Sequence, residues 1–407
     1  MSNLSTYAVS DHWDGSFEDA GFEAWAQALR KRLVADQVDL AFVFATPEYE
    51  PYFADILEIV QIHCQAPHVV GGTGNSLVSQ GFEYEHSEGV SVSLHRLPGG
   101  TVDSFELAAS EDGSFPDFDD ERVLKELEEK APNGFVVFAD PFSTHPENIL
   151  VEFNRRFPGI PVMGGLACGT REVSKTTLFL NHRPINRGAV GVAIGGEVII
   201  ESLISQGCQP VGDSFIITSA EKNILEGIAN RKAYEVLSDV FDELPDAMKL
   251  KSRGNLHVGF VINEYQQEFD RGDFLVRNLI GADPKRGALL VGALPRVGQT
   301  LQFQLRDRHS AMEDMNDQLE KMAHSLTGRK LYGGLLATCT GRGKQFFKVP
   351  DFDAGSIQDH LGPVGVSGFF GNGEFGPVGG VNFVHGYTAA LSVFTNKPLD
   401  VKREKPL

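Results

Sequence analysis

Two glycine-rich stretches in the C-terminal half hold residues that could do chemistry: T-C-T-G-R-G over 338–343 and G-F-F-G-N-G-E-F-G-P-V-G-G over 368–380. They supply a thiol (Cys339), a guanidinium (Arg342) and a carboxylate (Glu374), each just past a run that reads as buried strand. Ligands usually sit where strand ends face a crevice, and glycines let them approach the backbone. A guanidinium and a carboxylate side by side, with open backbone N–H groups, suit a zwitterion such as an amino acid. The expected ligand-binding residues are therefore Cys339, Arg342, Gly343, Asn372, Gly373 and Glu374, with Asn382 and His385 on the following strand. Glu374 stands among Phe369, Phe370 and Phe375, so its carboxyl either has a raised pKa or finds a cation, and Arg342 is the candidate partner. A purely structural salt bridge is the plainer alternative. Cys339 and His385 also read as a nucleophile and base, against the plainer reading of a small buried thiol. Cys168 and the run Ser205-Gln206-Gly207-Cys208 are similar strand-end positions in the first half.

Other chemistries fail on context. Gly371, Gly373 and Gly376 form a literal G-x-G-x-x-G, but Pro-Val-Gly-Gly and an apolar strand follow where a dinucleotide site needs a helix N-terminus. The G-R-G-K run at 341–344 lacks the first glycine of a P-loop, and Gln345 stands where Ser or Thr belongs. No histidine pair has metal-ligand spacing, so neither a metal nor a cofactor is expected.

The elements that must position these residues recur along the chain. A helix over 21–36 precedes the buried strand D-L-A-F-V-F-A-T-P, a helix around 51–64, the strand H-V-V-G-G-T-G and two alternating strands. The order returns with N-G-F-V-V-F-A-D-P, a helix over 147–157, P-V-M-G-G-L-A and further strands. F-A-x-P occurs at 44–47 and 138–141, and the following glycine comes 24 residues after Pro47 and 23 after Pro141, which marks a duplicated unit. A looser echo follows in the second half. Strands outnumber helices and many are joined by turns. The expected fold is α+β, with two domains of layered helix–sheet packing and mostly antiparallel sheets. Residues 20–222 form the first domain, with the internal duplication, and 223–395 the second.

The 407 residues carry 36 basic and 55 acidic side chains, a net charge of -19, which argues against nucleic acid or an anionic membrane surface as partner. No apolar run is long enough to span a bilayer, and the start has no signal-peptide pattern. Four scattered cysteines fit reduced thiols, so a cytoplasmic protein is expected.

Several motifs in order resemble the FIST domain family. P-V-M-G-G-L-A-C-G, R-G-A-V-G-V-A-I-G-G and S-Q-G-C-Q-P-V-G are similar to its N-terminal half. R-N-L-I-G-A-D-P-K-R-G-A-L-L-V-G, L-Y-G-G-L-L-A-T-C-T-G-R-G and G-F-F-G-N-G-E-F-G-P-V-G-G are similar to its C-terminal half, the whole covering roughly residues 20–395. The resemblance implies a sensory module of signal transduction that binds a small ligand, with amino acids proposed, and a protein signalling partner. It brings no established catalytic residues. A protein-interaction adaptor with a vestigial pocket, or an enzyme using Cys339 and His385, are the alternatives.

Overall fold

The computed structural model describes residues 5–108, 115–116, 118–170, 173, 175–252, 254–266, 268–269 and 271–398. Its chain forms two compact units that are discontinuous in sequence. The first takes the described residues of Met1–Ile204, Gln318–Val384 and Ala389–Leu407, and the second those of Ser205–Asp317 and His385–Thr388. The linear division into 20–222 and 223–395 follows the chain and not these units.

The first unit repeats one module three times. Module one runs β1 (Ala8–Trp13), α1 (Asp19–Arg32), β2 (Leu40–Ala45), α2 (Phe53–His63), β3 (Val69–Thr73), the hairpin β4 (Leu77–Ser79) and β5 (Phe82–Tyr84), and β6 (Val90–His95). Module two has the same order: β7 (Gly100–Leu107), α3 (Phe118–Lys130), β8 (Gly134–Ala139), α4 (Pro146–Arg156), β9 (Val162–Leu166), β10 (Leu178–Leu180), β11 (Arg183–Ile185) and β12 (Ala189–Gly196). Module three opens with β13 (Val198–Gln206), and the chain then builds the second unit before resuming. That unit contains β14 (Cys208–Glu221), β15 (Ile224–Ile228), β16 (Arg231–Lys232), α5 (Ala233–Glu243), α6 (Asp246–Ser252), β17 (Leu256–Val261), β18 (Phe274–Asp283), β19 (Ala288–Val291) and β20 (Thr300–Arg306). Module three continues with α7 (Arg308–Ser325), β21 (Leu331–Cys339), the short α8 (Lys344–Phe347), α9 (Phe352–Leu361), β22 (Val366–Gly371), the hairpin β23 (Glu374–Val378) and β24 (Val381–His385), and β25 (Thr388–Asn396). The loose echo is thus a full third copy.

Each module builds one six-stranded sheet, and each sheet borrows its outer hairpin from another module. The orders are β1-β6-β2-β3-β10-β11, β7-β12-β8-β9-β23-β24 and β13-β25-β21-β22-β4-β5. The central pairs β2–β3, β8–β9 and β21–β22 are parallel, while the flanking pairs β2–β6, β8–β12 and β21–β25 are antiparallel. Period-two alternation explains the two faces. Leu40, Phe42 and Phe44 of β2 enter the shared core, and Ala41, Val43 and Ala45 face Phe22, Ala26 and Leu29 of α1 and Ile56, Leu57 and Val60 of α2. β8 does the same, with Val136 and Phe138 inward and Phe135 and Val137 against Ile149, Leu150 and Phe153 of α4. Arg30, Lys31 and Arg32 in the last turn of α1 complement the negative end of its dipole.

At the centre, Phe44, Phe138 and Phe369 meet with ring centroids 5.4, 5.0 and 5.7 Å apart. The registers are equivalent: Phe44 lies opposite Gly72, Phe138 opposite Gly165, and Ala337 opposite Phe369. In two modules the central strand supplies the ring and its parallel neighbour a glycine. In the third the sizes are exchanged, which keeps the filled volume constant.

The second unit departs from the layered expectation. β14-β20-β17-β18-β19-β15 closes on itself through a β14–β15 pairing, giving a six-stranded antiparallel barrel. Val258, Phe260, Leu289, Leu301, Phe303 and Leu305 form its core with Val236, Leu237 and Val240 of α5. No described helix is long and apolar enough to cross a membrane.

The Phe369→Ala variant should lose about 3–5 kcal/mol in urea unfolding. Adding Ala337→Phe recreates the arrangement of the other modules and should recover part of that loss. Purely additive costs in the double-mutant cycle would show that the two positions do not share one slot.

Candidate functional site

Past their carboxyl ends, the three parallel pairs put equivalent residues in one place. Asn75, Cys168 and Asn372 each stand three positions after Gly72, Gly165 and Phe369, the residues matched by register. All three line a single crevice of about 690 Å³ in the first unit. The seams between modules here are main-chain bonds: Cys168 N–H donates to Thr73 O at 2.9 Å, and Asn75 N–H to Phe370 O at 3.0 Å. The remaining lining is polar and comes from the connections between strands, including Glu48 in a short helical turn, His86, Glu88, Thr170 and Gln345 of α8.

Glu374, 1% exposed, adjoins this crevice through its charge on Cys168. It opens the borrowed hairpin on the second sheet, opposite Gly165, where the other two sheets have Leu178 opposite Gly72 and Leu77 opposite Phe369. Both leucines belong to the central core. A carboxylate therefore replaces a core leucine in one module only. Its charge reaches Cys168, whose thiol is pushed up to about 11 by burial first and by Glu374 second. The first two glycines of the G-x-G-x-x-G bound the connection that presents Glu374: β22 ends at Gly371, Gly373 has φ +149°, β23 begins at Glu374, and Gly376 lies within β23. A strand hairpin follows where a dinucleotide site would need a helix.

The other expected residues fall into different settings. Arg342 is buried and forms a bidentate pair with Asp353, Nε to Oδ2 and Nη2 to Oδ1 both at 2.7 Å, with its guanidinium 5.0 Å from the Phe347 ring. Thr338 Oγ1 donates to the same Asp353 at 3.1 Å. Removing one partner of such a pair costs about 3–5 kcal/mol, so Arg342→Ala would report on folding and not on a ligand. Gly343 has φ +82° and stands at the start of α8, where a Cβ would lie 2.6 Å from Glu85 Oε2. That carboxylate accepts the Lys344 N–H at 2.7 Å. Glu83 acts likewise two residues earlier, accepting the Asp353 and Ala354 N–H groups of α9 at 2.9 and 3.1 Å. Burial, followed by the nearby Asp353 charge, holds the Glu83 carboxyl up at about 8.

Asn382 is a fold staple. Its Oδ1 accepts the Val162 N–H at 2.8 Å, and its Nδ2 donates to Ile160 O at 2.9 Å and to Asn154 Oδ1 at 2.8 Å. Cys339 is buried at the end of β21, with its Sγ accepting the Gly341 N–H at 3.5 Å. His385 is buried and falls in the second unit. Of the eight expected residues, Asn372 lines the crevice and Glu374 adjoins it through Cys168.

The family model for the FIST N domain matches residues 39–231, and that for the FIST C domain matches 233–377. The chain belongs to the FIST family. An uncharacterized protein of Mycobacterium tuberculosis is 35% identical to it over 382 residues, covering 93% of this chain and 96% of its own. An uncharacterized protein of Mycobacterium bovis is 34% identical over 382 residues, covering 93% and 95%. The two FIST models do not divide the molecule as its compact units do: module one from β2 onward, module two and β13 lie in the first match, and β21 and β22 of module three in the second. The crevice of this FIST protein thus draws Asn75 and Cys168 from the FIST N match and Asn372 from the FIST C match.

Sequence reasoning missed Glu48, Asn75 and Thr170. A signal for Asn75 existed, because the duplicated strands V-V-G-G and V-M-G-G align it with Cys168. Glu48 and Thr170 lie in connections with no repeat to mark them.

Iodoacetamide at pH 7.4 should alkylate Cys168 about two orders of magnitude more slowly than a free cysteine, since its thiolate fraction is depressed. Peptide mapping over time reads this directly, and rapid labelling would contradict the assigned environment. A second test concerns Glu83. The folded chain holds this proton more tightly than the unfolded chain, so its contribution is complete below the ordinary carboxyl value of 4.5 and is lost as the pH rises to about 8. Wild type should therefore lose stability relative to Glu83→Gln between pH 5 and 9 in parallel urea titrations, and a constant gap would exclude Glu83 as the source.

Proposed function

We propose that this FIST protein is a cytoplasmic sensor that binds a small polar metabolite, an amino acid among the candidates, in the crevice and passes the signal to a protein partner. The observation that supports it most is the convergence of Asn75, Cys168 and Asn372, one equivalent residue from each module, on one polar cavity. Repeated modules that each contribute a strand end make a site sensitive to all of them at once. The volume of about 690 Å³ lies within the usual range for small-ligand sites. Carboxamides supply both donors and acceptors, which favours a hydrogen-bonding ligand over an apolar one. Cys64 and Cys168 are free thiols, in keeping with a reducing compartment.

Magnitudes allow this reading. Micromolar binding needs about -8 kcal/mol, or roughly -0.9 per heavy atom for an amino acid of nine atoms, below the ceiling for the best small ligands. Such efficiency requires that most of the ligand surface be covered.

A thermal-shift screen of the purified protein against the common amino acids and related metabolites tests the proposal. A ligand at ~100 times its Kd should add roughly 2.7 kcal/mol and raise Tm by a few degrees. The shift should vanish in Asn372→Leu, an exposed position whose replacement leaves the core intact. A flat screen would count against a metabolite sensor and favour the adaptor reading, in which a stable protein partner binds regardless of Asn372.

A further inference from the structure

Glu48 is the crevice residue whose chemistry is least accounted for by the fold. It follows Pro47 in the short turn of helix after β2, and its Oε1 accepts the Thr170 Oγ1 hydroxyl at 2.8 Å. Thr170 is itself fixed, its Oγ1 accepting the Val173 N–H at 3.1 Å. The other oxygen, Glu48 Oε2, is buried and has no hydrogen-bond partner among the described residues. Among the described residues nothing offsets the lost hydration of this oxygen, which leaves it as an acceptor for a donor from a ligand. Its surroundings add negative charge: Glu88 lines the same crevice, and Glu374 is close enough to raise the Cys168 thiol. Arg342, the guanidinium that the sequence offered as a partner for a carboxylate, is engaged by its bidentate pair with Asp353.

We propose that the crevice recognises its ligand through a protonated nitrogen (an amine, amidine or guanidine) that donates to Glu48 Oε2, with Asn75 and Asn372 orienting the neutral remainder. This rests on the crevice being a small-ligand site and assigns the chemical class it takes. The ligand's N–H group supplies the missing donor, and its charge offsets the surrounding carboxylates, so the hydrogen bond is charge-assisted. Thr170 acts as a positioning residue that keeps Oε2 pointing at the ligand by engaging Oε1.

The test uses probes matched in length and different in end group: putrescine, 1,4-butanediol and succinate, with agmatine and ethanolamine as further amines. Binding is measured by calorimetry and thermal shift on the full-length protein, wild type, Glu48→Gln and Asn372→Leu. At least one amine should bind wild type in preference to the diol and the dicarboxylate, and Glu48→Gln should weaken it by about ten- to a hundredfold. Thr170→Val, which leaves the charge in place, should weaken the same amine by a smaller factor and serves if Glu48→Gln does not fold. Tighter binding of the diol or of succinate overturns the assignment, as does amine binding that is unchanged in Glu48→Gln and Thr170→Val. In those cases loss of the bound probe in Asn372→Leu would keep the crevice as the ligand site, with a different ligand class. Absence of binding by any probe, or binding indifferent to every variant, overturns both.

Discussion

The constraint on which the first unit depends is the filling of one central space by three aromatic rings, Phe44, Phe138 and Phe369. Each module has two facing register positions there, and only one of them has room for a ring. Modules one and two answer with Phe opposite Gly, and module three with Ala opposite Phe. Close packing penalises both a void and an excess methylene, so the exchange in module three must be concerted. Once the rings are in place, the registers of β2–β3, β8–β9 and β21–β22 are set. With them is set the height at which every strand ends.

Hairpin exchange then locks the modules to one another. Each sheet is completed by strands from another copy, so no module can bury its own face alone. The same exchange determines which side chain enters the core opposite the central pair. Leu77 and Leu178 take that place in two sheets, and Glu374 in the third. A threefold-repeated scaffold thereby acquires one polar position, next to the crevice formed by Asn75, Cys168 and Asn372. The repeat supplies rigidity and the departure from it supplies chemistry.

Much of the conspicuous polar chemistry near the site serves the fold. The Arg342–Asp353 pair is fully buried, and Glu83 and Glu85 accept the N–H groups that open α9 and α8. These carboxylates come from the end of the first module's hairpin and bind helices of the third module. They hold the segment that brings Gln345 to the crevice. A guanidinium and carboxylates at strand ends look the same in sequence whether they wait for a ligand or for one another. Partner identity is a long-range property, separated here by about 270 residues for Glu83 and Asp353.

What the sequence determined by itself was local. Alternation in L-A-F-V-F-A and G-F-V-V-F-A, helical spacing in α1 and α4, the glycine-ended strands and the repeat of the first two modules are all readable within a few residues. The strand following Gly376 was readable too, and it removed the dinucleotide site. The third module was faint because the whole barrel interrupts it between β13 and α7 and because its Phe moved to the neighbouring strand. Tertiary structure alone decided that the strand ends converge, that Arg342 is held by Asp353, that Asn382 staples β24 to the preceding module, and that Glu48 lines a crevice with one oxygen unmet among the described residues. The reason is physical: propensity and periodicity act between near neighbours, whereas hydrogen-bond satisfaction and packing volume are settled among residues that only the completed fold brings within reach.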